Sequence, residues 1–180
     1  MDENLKNYQA YLDGDDTGLE RLLDAYGKRL ILFLTRITKD AELAEELMED
    51  TICDLLIFRR EFRADSALQT YLFAAARNKA VSELRRRARH CEETEEHVTE
   101  SFESECIADL GKRCLYNALL ALPRDYRIAL YLVYFENMSY RETGQIMKCS
   151  ERRIKNLIYR GKAALRAYFE KEGLTYEELV

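Results

Sequence analysis

The stretch SYRETGQIMKCSERRIKNLIYRGKAALR, residues 139–166, decides the fold of the C-terminal half. It reads as two helices joined by a very short turn. Ser139 followed by Glu142 has the spacing of a capping box, in which each side chain satisfies a free backbone N–H at a helix start. Ser150 can cap the next helix in the same way. Only Lys148 and Cys149 lie between the two periodic segments. The helices must therefore meet at a steep angle, which is helix-turn-helix geometry. Gly144 falls where they cross, and a small residue there permits close approach. Thr143, Met147, Ile154 and Leu157 are the predicted shared core. Lys148 stands where the motif usually carries Gly, and a left-handed residue there costs roughly 1 kcal/mol.

Taking Ile154 as the inward reference, a helix turning about 100° per residue brings Leu157, Ile158, Gly161, Leu165 and Tyr168 to the same side. Arg152, Asn156 and Tyr159 then point outward, with Arg153, Lys155 and Arg160 flanking them. Such a face suits the DNA major groove. Arg pairs bidentately with guanine and Asn with adenine, whereas Lys suits phosphate. The first turns of such a helix enter the groove most deeply. Arg152, Arg153 and Asn156 are the expected base readers, each contributing about 1–3 kcal/mol of discrimination. Lys155, Tyr159, Arg160 and Lys162 are expected on the backbone. A solvated basic face would look similar; the caps, the small crossing residue and the basic face occurring together favour DNA.

Working outward, the 180 residues suit one sizeable domain or two small ones. One Pro and seven Gly leave little turn chemistry, which favours an all-α fold over strands. No run of about 18 apolar residues exists, so no membrane insertion is expected. The acidic N-terminus lacks the apolar core of a secretion signal. Five Cys without pairing spacing read as reduced thiols, consistent with a cytoplasmic protein. No Lys or Arg occurs between Arg89 and Lys112. That acidic stretch buries too little surface to offset its ordering entropy, so a flexible linker between two helical domains is expected.

In the N-terminal half, helical periodicity begins near Gly18. Leu19, Leu22, Leu23, Tyr26, Leu30, Phe33, Leu34 and Ile37 form one predicted buried stripe. A second helix is expected from near Ala41 to Phe62, and a third from Ser66, its candidate N-cap, to Arg89. Later helices are expected over residues 115–122, 124–135, 140–147 and 151–170. The second helix is acidic on its outer face, with Leu43, Leu47, Thr51, Leu55 and Ile52 facing inward. Its acids lack the spacing of a calcium loop and any sign of burial for catalysis. They suit a protein partner. The third helix is basic: Arg77, Lys79, Arg85, Arg86, Arg87 and Arg89 accompany aromatic residues near its start. That pattern suits single-stranded DNA.

Together these segments resemble bacterial RNA polymerase sigma factors of the sigma-70 family, extracytoplasmic-function group. "AEELMEDTICDLL" is similar to the helix that grips the polymerase clamp. "FRADSALQTYLFAAARNKAVSELRRR" resembles the segment that melts and reads the minus-ten promoter element. "ALPRDYRIALYLVYFENMSYRETGQIMKCSERRIKNLIYRGKAALR" resembles the domain that reads the minus-thirty-five element and rests on the polymerase flap. The resemblance implies a region 2-like domain over residues 1–89, a linker over 90–112, a region 4-like domain over 113–172 and a tail over 173–180. By position it places Glu45, Glu46, Glu49 and Asp50 on the clamp, and Asp65, Ser66, Arg77, Asn78 and Lys79 at the melted strand. Ser150, Arg152, Arg153, Lys155, Asn156, Tyr159 and Arg160 fall at the minus-thirty-five element. It implies core polymerase, promoter DNA and an anti-sigma factor as partners. Glu49, Tyr71, Gly144, Lys148 and Arg153 depart from the family's usual Gln, Trp, Ala, Gly and Thr. Arg153 points to a promoter preference of its own.

No nucleophile–base pair, metal cluster or phosphate loop stands out, so neither catalysis nor a cofactor is expected. A zinc site from His90, Cys91, His97 and Cys106 is conceivable, but its spacing is irregular. Two other functions fit parts of the pattern. A stand-alone helix-turn-helix regulator would act as a dimer on paired half-sites. A protein adaptor that titrates a sigma factor would not need Arg152 or Asn156.

Overall fold

The computed structural model describes residues 3–90 and 110–172. These form eight helices and no strand. The chain divides into two compact units, Met1–His97 and Val98–Val180. Residues 91–109 of the expected linker, with the Cys91, His97 and Cys106 part of the conceivable zinc set, and the tail over 173–180 lie outside the described residues; the linker's outermost positions, 90 and 110–112, belong to helices.

The first unit contains α1 (Glu3–Leu12), α2 (Thr17–Thr38), α3 (Ala41–Phe58) and α4 (Asp65–His90). Leu22, Tyr26, Leu30, Phe33, Leu34 and Ile37 are buried along α2, as the stripe predicts. Leu23 is not: it is 38% exposed. Its wheel angle nearly equals that of buried Leu34, so direction on the helix alone does not decide burial here. Helix α1 was not anticipated. Its Leu5 and Tyr8 are buried, and the Tyr8 hydroxyl donates to the Leu55 carbonyl at 3.3 Å. Gly18 allows α1 and α2 to touch, because a Cβ there would meet the Asn7 carbonyl and the Tyr11 nitrogen.

Helix α2 ends at left-handed Lys39, whose N–H donates to the Thr35 carbonyl. Asp40 then caps α3, accepting from the Leu43 N–H at 3.0 Å. Helix α3 stops at Phe58, short of Phe62, because Arg59 is left-handed with φ 42°. The freed segment carries Phe62 back between two aromatic rings, 5.7 Å from Tyr8 and 5.4 Å from Tyr71. Helix α4 begins at Asp65, so Ser66 lies inside its first turn and does not cap it. Phe73 of α4 meets Phe33 of α2 edge-on at 5.0 Å, in the centre of this unit's core.

The second unit contains α5 (Leu110–Ala121), α6 (Arg124–Tyr134), α7 (Tyr140–Met147) and α8 (Glu151–Glu172). Helix α5 begins at Leu110, before the expected start at Leu115. Pro123 closes the α5–α6 corner, and buried Arg127 donates to the Leu120 carbonyl at 2.7 Å, satisfying an open acceptor at the end of α5. Ile128, Leu130, Leu132, Ile146, Ile154 and Ile158 form the centre of the core. Phe169 is buried near the end of α8, where Tyr168 had been expected to lead.

Candidate nucleic-acid interface

The turn between α7 and α8 is built as its sequence predicts. The Ser139 hydroxyl accepts from the Glu142 N–H at 3.2 Å, and the Glu142 carboxylate accepts from the Ser139 N–H at 2.9 Å. Lys148 is left-handed, φ 54° and ψ 46°, despite its side chain. The Cys149 N–H donates to the Gly144 carbonyl at 2.9 Å. The Ser150 hydroxyl accepts from the Arg153 N–H at 3.3 Å, which caps α8. Thr143, Met147, Ile154 and Leu157 are all buried. Gly144 meets the turn itself more than the facing helix: a Cβ there would lie 2.7 Å from the Cys149 carbonyl oxygen.

This turn sets the outer face of α8 in solvent. Ser150, Arg152, Arg153, Lys155, Asn156, Tyr159 and Arg160 are all exposed, Tyr159 by 78%. Two cations on α8 lean back towards α6. Arg153 places Nη2 3.7 Å from Oδ2 of Asp125. Lys162 lies over the Tyr134 ring at 4.6 Å, although it had been expected on the DNA backbone. Beside it, Phe135 stacks on Tyr131 at 5.4 Å. Tyr134, Phe135 and Tyr140 are exposed apolar rings, which the pattern of charges had not singled out.

On the first unit, Glu42, Glu45, Glu46 and Glu49 repeat at three-four spacing and are exposed as one acidic stripe of α3. Asp50 is exposed too, but it also faces a cation of α4. Lys79 sits 2.8 Å from Asp54 and 3.9 Å from Asp50. A residue expected on the polymerase and one expected on DNA therefore meet each other. Arg77, Asn78 and Lys79 are consecutive, so a helix spreads them over about 200°. Asn78 is exposed, Arg77 half-buried, and Lys79 turned to α3. Ser66 is exposed in the first turn, which Asp65 opens.

The basic end of α4 is sorted by pairs within the helix and by one pair to α3. Glu83 accepts from Arg86 at 2.8 and 2.7 Å and from Arg87 at 3.0 Å. These hydrogen bonds pull its carboxyl down to about 2. Arg87 also donates to the capping Asp40 at 3.0 Å, tying α4 to the start of α3. The cations left outward near the aromatics are Arg59, Arg60 and Arg63. Arg60 covers the Tyr71 ring at 5.1 Å. Arg59 and Arg60 fall within the span expected for the second helix, up to Phe62, and Arg63 lies just beyond it.

Residues 22–90 match Sigma-70 region 2, and residues 112–165 match Sigma-70, region 4. The chain is 26% identical over 157 residues to the ECF RNA polymerase sigma factor SigM of Bacillus subtilis, covering 85% of this chain and 96% of that protein. It is 29% identical over 143 residues to the ECF RNA polymerase sigma factor EcfG of Rhodopseudomonas palustris, covering 78% and 79%. Among solved structures, the fold is similar to the sigma factor RpoE in complex with the anti-sigma factor NepR from Bartonella quintana. That likeness has a TM-score of 0.66 at 24% identity, covering 84% of this chain and 96% of that one. CnrH in complex with the cytosolic domain of CnrY gives a TM-score of 0.67 at 16% identity, covering 94% and 99%.

Proposed function

The chain belongs to the sigma-70 family, in its extracytoplasmic-function group, and from that premise we propose how its surfaces divide the work of starting transcription. It is an initiation factor that binds core RNA polymerase and directs it to specific promoters. It acts in the cytoplasm and performs no catalysis of its own; the polymerase makes the RNA. The observation that carries the division is the sorting of charge. An acidic stripe on α3 and a basic, amide-bearing face on α8 stand on separate units.

Glu45, Glu46, Glu49 and Asp50 engage the polymerase clamp. Charge complementarity of this kind governs encounter and register more than total affinity. Arg152, Arg153 and Asn156 read base edges of the minus-thirty-five element in the major groove, while Ser150, Lys155, Tyr159 and Arg160 hold its backbone. Exposed Tyr134, Phe135 and Tyr140 provide an apolar seat for the polymerase flap. Asp65, Ser66, Arg77 and Asn78 lie at the melted minus-ten strand, together with Arg60 and Tyr71, whose stacked pair suits an unpaired base. Lys79 takes a positioning part there, holding α4 against α3 through Asp54. The functional domains span about 1–89 and 113–172. An anti-sigma factor is a further partner; both similar solved structures are complexes with a second protein.

Reconstitution with core polymerase tests this directly. The chain should co-elute with core enzyme and start transcription at a defined set of promoters. Each promoter should lose initiation when its upstream element is scrambled. Failure to join the core enzyme, or joining it without new start sites, would overturn the assignment.

A further inference from the structure

We infer that Asp125 is a specificity-determining positioning residue for the minus-thirty-five element, acting through Arg153. The inference rests on the proposed role of α8 and goes beyond it, because Asp125 is on a different helix and outside the helix-turn-helix.

Arg153 is the third residue of α8, in the turn that enters the groove first. Its side chain remains exposed, and its Nη2 lies 3.7 Å from Asp125 Oδ2 in the first turn of α6. A free arginine on a helix surface samples many rotamers, and ordering it costs entropy when it binds. A carboxylate on one edge of the guanidinium reduces that freedom beforehand. The guanidinium has five donors, so one ion pair leaves enough N–H groups for a bidentate contact to a guanine edge. Asp125 cannot itself approach the duplex favourably, since it would repel phosphate. Its presence beside a DNA-facing helix therefore has a cost in general affinity, which aiming Arg153 offsets at one base pair. Among the described residues no carboxylate pairs with the neighbouring outward Arg152 or Asn156, so the effect should be confined to the position Arg153 reads.

The test uses holoenzyme reconstituted from core polymerase and the full chain, on a promoter library randomised across the minus-thirty-five element. Initiation is scored by sequencing transcripts. A full bidentate contact carries about five- to hundredfold discrimination. Arg153→Ala should remove the preference at one position. Asp125→Asn should weaken preference at that same position, by about threefold or more, and leave the others intact. Asp125→Glu should restore part of it. The double variant should match Arg153→Ala alone, because both changes act through one contact. A uniform gain of initiation across all sequences after Asp125→Asn, with a changed salt dependence, would mean the carboxylate only repels DNA and would overturn the inference. So would a loss of thermal stability without any change in preference. If Arg152→Ala, Arg153→Ala and Asn156→Ala all leave every preference intact, it is the role of α8 that fails. If the first and last shift preference while Asp125→Asn does not, only the role of Asp125 fails.

Discussion

Replacing Gly144 by Ala sets two effects of known sign against each other. Glycine inside a helix costs about 0.5–1 kcal/mol relative to alanine, so on propensity alone the change stabilises α7. The turn opposes it. The new Cβ would stand 2.7 Å from the Cys149 carbonyl oxygen, a backbone atom. That oxygen is not free to move. Cys149 is bonded to the Gly144 carbonyl at 2.9 Å, and Lys148 before it is already held at φ 54°. Overpacking against an unyielding neighbour costs about 1–3 kcal/mol. The net expectation is a loss of about 1 kcal/mol for Ala, and more for Val, whose branches add contacts. Hydrogen exchange of the α7 and α8 amides in the full chain reads this locally. Exchange through opening of the second unit should be about fivefold faster in Gly144→Ala and more than tenfold faster in Gly144→Val. Amides of α2 should be unchanged. Slower exchange in the alanine variant would show that propensity wins, and that the turn relaxes where it is argued to be rigid.

Changing both Glu46 and Glu49 to Lys should abolish co-elution with core polymerase while leaving the helical circular dichroism and melting of the free chain unchanged, since both side chains are exposed; normal association would remove the clamp assignment. The Thr143 hydroxyl is fully buried and has no hydrogen-bond partner among the described residues, so Thr143→Val should stabilise the chain by about 1 kcal/mol in denaturant unfolding. A clear destabilisation would mean that the hydroxyl is bonded. Glu83 has its carboxyl lowered from 4.5 to about 2, first by the Arg86 hydrogen bonds and then by that of Arg87. A lowered carboxyl contributes stability that is full above its unfolded value and fades as pH falls through about 2. Glu83→Gln should therefore melt below the parent chain at pH 6, with the gap closing towards pH 2. A gap independent of pH would count against the ionic origin.

Much of this architecture was legible in one dimension, and it was the local part. Caps need only a hydroxyl or carboxylate and an N–H three residues away, so Ser139, Glu142 and Ser150 could be assigned without a fold. Stripes such as that of α2 repeat with the helix's own period. The segregation of acids on α3 from bases on α8 is likewise a property of each segment alone. Helix α1 escaped notice because its short stripe of Leu5 and Tyr8 stands among polar residues. Phe62 was misplaced because the left-handed step at Arg59 leaves no mark that a periodic pattern would show. Apart from the Glu83 pairs, which lie within one helix, packing decided which charges remain available. Lys79 is consumed by Asp54, Arg87 by Glu83 and Asp40, and Arg153 leans on Asp125. Most of those partners lie far away along the chain, and whether they meet depends on how whole helices cross. A sequence can state the sign and helix face of a side chain from its own period; which opposite charge reaches it is a distance in space, which the tertiary contacts set.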